Sequence, residues 1–105
     1  MPEQIKVGPH TYRVAQFPAA QMISADGEKL LGECKQDELL IKILKRMRRT
    51  KTQEVLWHEV KHSAHYLAGH NEEENFDGEQ WIEITAQNEL QIMRDNPELV
   101  AYLTS

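Results

Sequence analysis

A chain of 105 residues, 40 % apolar and 28 % charged, with a mean hydropathy of −0.64, has the make-up of one compact domain over 1–105 with a single modest core. The net charge of −5 argues against nucleic acid as the partner, and the one cysteine, Cys34, excludes an internal disulfide and a thiolate zinc cluster and fits a reducing cytoplasm. No apolar run approaches the ~18 residues of a membrane span, and Met1-Pro2-Glu3-Gln4 lacks the basic and apolar regions of a signal peptide, so a cytoplasmic protein without a membrane partner is expected.

Along the chain, Ile5-Lys6-Val7 and Thr11 to Val14 flank Gly8-Pro9-His10, which predicts a β-hairpin about a Gly-Pro turn. Asp26-Gly27 is a second turn signal. Gly32-Glu33-Cys34 and Glu38 to Leu44 flank Lys35-Gln36-Asp37, and the second of these runs suits a strand or a helix alike. Thr50-Lys51-Thr52-Gln53 matches a capping box, with Thr50 as N-cap and Gln53 reaching back. The helix that follows should run to about Ala68, with Gly69 in the left-handed position beyond it. Asp77-Gly78-Glu79-Gln80 offers another capping box for a helix from about Gly78 to Asp95, and Asn96-Pro97 ends that helix and opens a short third one. The expected fold is α+β, a small N-terminal sheet packed on the first helix and on a second long one.

The charges are not evenly spread. Six of the twelve basic residues fall between Lys42 and Lys51, and five acidic residues fall between Glu72 and Glu79. Such blocks are usually solvated linkers. The basic run could clamp phosphates, but it has no interleaved aromatics for base stacking.

His58-Glu59-Val60-Lys61-His62 is an HExxH pattern. Residues four apart on a helix lie about 40° apart in azimuth and one turn apart in height. Two imidazoles so placed can share one ion at about 2.0–2.1 Å. Glu59, about 100° round from His58, can take a proton from water held by the metal instead of ligating it. Leu56, Trp57, Val60, Ala64 and Leu67 fall on the opposite arc, so one side of the helix should pack on the core while the histidines face a cleft.

A catalytic zinc needs a third protein ligand and an open position. His65 shares the histidine stripe but lies a further turn along the same helix. The metzincin pattern would need a third histidine where Ala68 stands. That leaves a carboxylate from the next helix, with Glu79, Glu83 and Glu89 as candidates.

The run Thr52 to Leu67 resembles the active-site helix of small gluzincin-type peptidases, the minigluzincins common among phage and mobile-element proteins. Trp81 to Asn88, followed by Arg94-Asp95-Asn96-Pro97-Glu98-Leu99, looks like their second helix and its exit. The resemblance covers the last half of the chain, and the N-terminal strands only in outline. It implies a zincin-like fold with an edge strand along the cleft, one Zn2+ held by His58, His62 and Glu83, Glu59 as general base, and a peptide or protein substrate. Lys61, Ser63 and the weight of basic charge from Lys45 to Lys51 depart from the pattern.

Tyr12, Tyr66, His10, His65 and His70 are candidate donors to the oxyanion of a tetrahedral intermediate. Trp57 and Trp81 are expected in the core, and Cys34 as a small strand residue without an activated thiolate. The rival expectation is a non-catalytic module that uses zinc as a structural clip and binds a protein or nucleic-acid partner.

Overall fold

The computed structural model describes residues 1–69 and 78–105, without the side chains of residues 78–81 and 84. Four strands form one mixed sheet: β1 (Gln4–Val7), β2 (His10–Phe17), β3 (Gly32–Lys35) and β4 (Leu40–Leu44). Their spatial order is β1-β2-β4-β3, with β2 and β4 parallel and both outer pairs antiparallel. Three helices follow, α1 (Arg49–Leu67), α2 (Gly78–Asp95) and α3 (Pro97–Leu103). The fold is α+β, a four-stranded sheet packed against three helices. Among the described residues no helix is long and apolar enough to cross a membrane.

The period-two pattern of the strands sets which face is covered. Ile5 and Val7, Tyr12 and Val14, and Ile41 and Ile43 point to the helices and are buried. They meet Val55, Leu56, Val60 and Ala64 of α1, Ile92 of α2 and Leu99 of α3 in one core. Thr11 and Arg13 of β2 point the other way and are exposed. On that outer face the Lys42 ammonium lies 4.8 Å from the centre of the Phe17 ring and donates to the Gln21 carbonyl at 2.9 Å.

The Gly-Pro hairpin is present, with Gly8 at φ 60° in the turn between β1 and β2. Gly27 takes φ 83° at the second turn. The ambiguous run is strand β4, because its two inward isoleucines complete the sheet's buried face. Gly69 ends α1 at φ 81°, donating to the Tyr66 carbonyl at 3.0 Å.

Two expected helix caps are used differently. α1 starts at Arg49, one residue before the expected N-cap Thr50, and makes no side-chain cap hydrogen bond. Gln53 does not reach back. Its amide donates to the Tyr102 carbonyl at 2.8 Å, serving the last turn of α3. Asn96 precedes α3 as expected but makes no side-chain cap bond to that helix. Its Oδ1 accepts from the Lys6 N–H at 2.8 Å, and its Nδ2 donates to the carbonyls of Lys6 and Ile92, both at 2.7 Å. An amide that joins three backbone groups across the domain is worth more than one cap bond, because each of those groups would otherwise lack a partner. The second capping box includes Asp77, which lies outside the described residues, as does most of the acidic block from Glu72 to Glu79.

Asn96 thereby covers the outer edge of β1 and ties it to the junction of α2 and α3. Replacing Asn96 by Ala should lower stability by about 1–3 kcal/mol, since it takes a partner from two part-buried backbone groups of Lys6 and the buried carbonyl of Ile92. Urea denaturation of the variant would check this; a loss under about 0.5 kcal/mol would contradict the clip.

Candidate metal centre

The site is built where α1 crosses β3. Two stripes of α1 are buried, not one. Leu56, Val60 and Ala64 meet the core as expected, with Trp57 and Leu67 half-buried beside them. Thr52, Val55, Glu59 and Ser63 form a second buried stripe, largely polar, turned towards β3. The hydroxyls on it are satisfied within the helix: Thr52 donates to the Arg48 carbonyl at 3.0 Å and Ser63 to the Val60 carbonyl at 2.6 Å. Polarity hid this stripe from any reading by hydrophobic pattern.

Gly32 makes the close crossing possible. A Cβ there would sit 2.7 Å from Val55 Cγ1 and 3.0 Å from Glu59 Cγ, so only glycine lets the helix lie this near. The sequence pattern places Glu59 beside an open cleft, but the strand closes over its stem and leaves the residue only 6 % exposed. Burial pushes its carboxyl above the usual carboxylate range. The nearby His58 opposes that rise and the Glu33 carboxylate reinforces it.

His58 and His62 stand on the solvent side of the same helix, both exposed. Their rings meet edge to face with centroids 4.8 Å apart, and their Nε2 atoms are 3.1 Å apart. Glu59 Oε2 lies 3.9 Å from His58 Nε2. One ligand atom from each of the three residues lies within 4.8 Å of the others. Two nitrogens at this spacing, each about 2.05 Å from a shared ion, would subtend about 100° there, close to a tetrahedral angle. The spacing of the pair is therefore compatible with a shared metal ion. Without an ion the same spacing suits one ring N–H donating to the other nitrogen.

The expected third ligand is not brought in. Glu83 is exposed on α2, and among the described residues the group holds only His58, Glu59 and His62. The α2 carboxylate that meets α1 beside the motif is Glu89. Its Oε1 is buried and 3.1 Å from the Lys61 ammonium, off the direction a hydrogen bond requires. Lys61, unusual within the motif, thus serves the contact between α1 and α2. The side chain of Glu79 lies outside the described residues.

Of the candidate oxyanion donors, His10 and Tyr66 are exposed and His65 is half-buried. Tyr12 is buried with its hydroxyl on Gln36 Oε1. Burial first, then the neighbouring Cys34 and Tyr66, raises its pKa to about 12, so it stays a neutral phenol. His70 and the side chain of Trp81 lie outside the described residues. Cys34 sits behind Glu59 on β3. Burial and then the Glu59 charge push its thiol to about 12, despite a 3.2 Å bond from Gln36 Nε2. No activated thiolate results.

A cleft of about 270 Å³ runs from this group along the N-terminal half of α1, lined by Leu31, Gly32, Lys51, Glu54, Val55, His58 and Glu59. Among the described residues no backbone hydrogen bond reaches the outer edge of β3, which borders it. Larger hollows lie elsewhere, one of about 560 Å³ beside Met1 to Lys6 and one of about 360 Å³ between Trp57, Met93 and Leu103. Neither touches the His-Glu-His group, and converging ionisable groups mark a site better than volume does.

Fold and site together define an α+β domain with a His-Glu-His group able to hold a metal ion. Compared with protein-family models, curated proteins and solved structures, the chain matches none.

Gly32→Ala should push α1 away from β3 and cost about 1–3 kcal/mol. It should also loosen the group on α1 that this contact backs. Thermal denaturation with and without added zinc would show both effects; an unchanged midpoint would mean that the close approach is unimportant.

Proposed function

We propose that this chain is a zinc-dependent peptidase, with His58 and His62 as metal ligands and Glu59 as its general base. The observation that carries the reading is the pair of Nε2 atoms 3.1 Å apart with a buried carboxylate beside them. Those nitrogens can share a proton or an ion, and a buried carboxylate beside them supports the ion.

Zinc bound there would supply Lewis acidity towards the scissile carbonyl and lower the pKa of water to about 7. The protein's part is proton handling. Glu59, held by β3, takes the proton of the attacking water and passes it to the departing amine. Its burial raises its affinity for that proton, which a base working near neutral pH needs. The unpaired edge of β3 gives an extended peptide a backbone to pair with.

The third ligand belongs to the same proposal. The resemblance to minigluzincins assigns it to Glu83, and a movement of that side chain or of α2 has to carry it to the ion. The alternative, a non-catalytic zinc-stabilised module, keeps the histidines and dispenses with Glu59 chemistry.

Metal analysis of purified protein should find one zinc per chain, lost in His58→Ala and His62→Ala. It should be much weakened in Glu83→Ala and kept in Glu89→Ala. Absence of zinc after reconstitution would end the metal reading.

Glu59→Gln should keep the zinc and lose hydrolysis by about 10²–10⁴-fold. A variant as active as the parent would refute the mechanism, and zinc without turnover of any peptide would favour the non-catalytic module.

A further inference from the structure

The segment that joins β4 to α1 carries charge the peptidase reading does not use. Between Lys42 and Lys51 there are six basic residues and no acidic one. The first turn of α1 also holds no acidic residue. Lys42 is engaged with Glu33 and the Gln21 carbonyl, and Arg49 with Ser105. Lys45, Arg46 and Arg48 are exposed and have no side-chain partner among the described residues.

Arg46 stands at φ 68°. That left-handed conformation is unfavourable for an ordinary side chain and suits glycine or asparagine. An arginine held there, with its guanidinium in water, gains no packing in return. Leu39, the other non-glycine residue with positive φ, packs against the core. The strain at Arg46 goes with an exposed charge.

The cleft points at this charge. From His58 and Glu59 it runs back along α1 to Lys51, with Leu31 and Gly32 as the opposite wall. Leu31 accepts a hydrogen bond from Leu44 N–H at 2.9 Å, so the strand end that borders the cleft lies beside the start of the basic segment. Lys51 is paired with Glu54 at 3.3 Å, but both side chains are largely exposed. A bond of that kind is worth little and yields readily to a better partner. Lys51 precedes His58 by seven residues and Arg48 by ten, or about 11 and 15 Å along the helix. An extended peptide covers those lengths in about three to five residues.

We propose that the cleft takes acidic peptides, with Asp or Glu about three to five residues to one side of the bond over the His-Glu-His group, held by Lys45, Arg46, Arg48 and Lys51. The inference rests on the peptidase reading for the position of that bond. Charge-based capture of this kind weakens with salt, because the cations are exposed. The chain's overall charge of −5 repels such peptides elsewhere on its surface and leaves this segment as their point of approach.

The test uses the zinc-loaded full chain with Glu59→Gln and fluorescent twelve-residue peptides. A block of three Glu or three Lys is walked along an otherwise neutral sequence. Glu-block peptides should bind at least about tenfold tighter at low salt, and the gap should close near 0.5 M NaCl. It should also close in K45A/R46G/R48A, a variant that relieves the backbone at Arg46 and so should fold at least as well. Wild-type protein should cut the Glu-block peptides about three to five residues from the block. Equal affinity for the two series, or a preference that survives the triple variant, would overturn the proposal. Tighter binding of a duplex oligonucleotide than of any Glu-block peptide would also overturn it and make the patch a phosphate-binding surface. Hydrolysis without charge preference sinks this inference and spares the peptidase reading. Preferential binding with no hydrolysis by wild type does the reverse.

Discussion

The close crossing of α1 over β3 is the contact on which the rest depends. Gly32 has no side chain, so Val55 and the stem of Glu59 can lie directly on the strand. That contact sets the rotation of α1 about its own axis. With Val55 and Glu59 turned to β3, and with Leu56 and Val60 turned to the core, the helix has a single face left. His58 and His62 occupy it. The separation of roles in the site, a buried carboxylate and two exposed imidazoles, follows from how one helix is wedged.

The sheet manages its two edges in opposite ways. Asn96 fills the edge of β1 by bonding both the N–H and the carbonyl of Lys6. An open edge invites pairing with other chains. The edge of β3 carries no such cover among the described residues, and it is the edge beside the His-Glu-His group. Among the described residues, then, one edge of the sheet is covered by a side-chain amide and the other is not. The amide of Gln53 on the end of α3, and the Lys61–Glu89 contact between α1 and α2, hold the helices that brace this arrangement from behind.

Much of this was readable along the chain. The hairpin, both glycine turns, the end of α1 at Gly69, the span of α2 and the Asn96-Pro97 junction follow from local backbone preferences, which neighbours in sequence express on their own. The HExxH spacing likewise puts two imidazoles on one face of any helix. The reading failed where a side chain had two possible employers. Gln53 and Asn96 are good capping residues, yet each bonds a backbone group far away in sequence, Tyr102 and Lys6. Glu59 looked like a cleft residue because nothing nearby in sequence announces that Gly32 will cover it.

The sequence by itself determined the class of fold, the helix that carries the histidines and the concentration of basic charge before it. These depend on periodicity, turn residues and composition, all local properties. Only the tertiary structure decided that β4 runs parallel beside β2, that a polar stripe of α1 faces β3, and that Glu59 is buried while the imidazoles are not. It also decided that Glu89 of α2 pairs with Lys61 of α1 while Glu83 is exposed. Those outcomes depend on which distant surfaces meet, and a pattern of spacings along one chain does not contain that information.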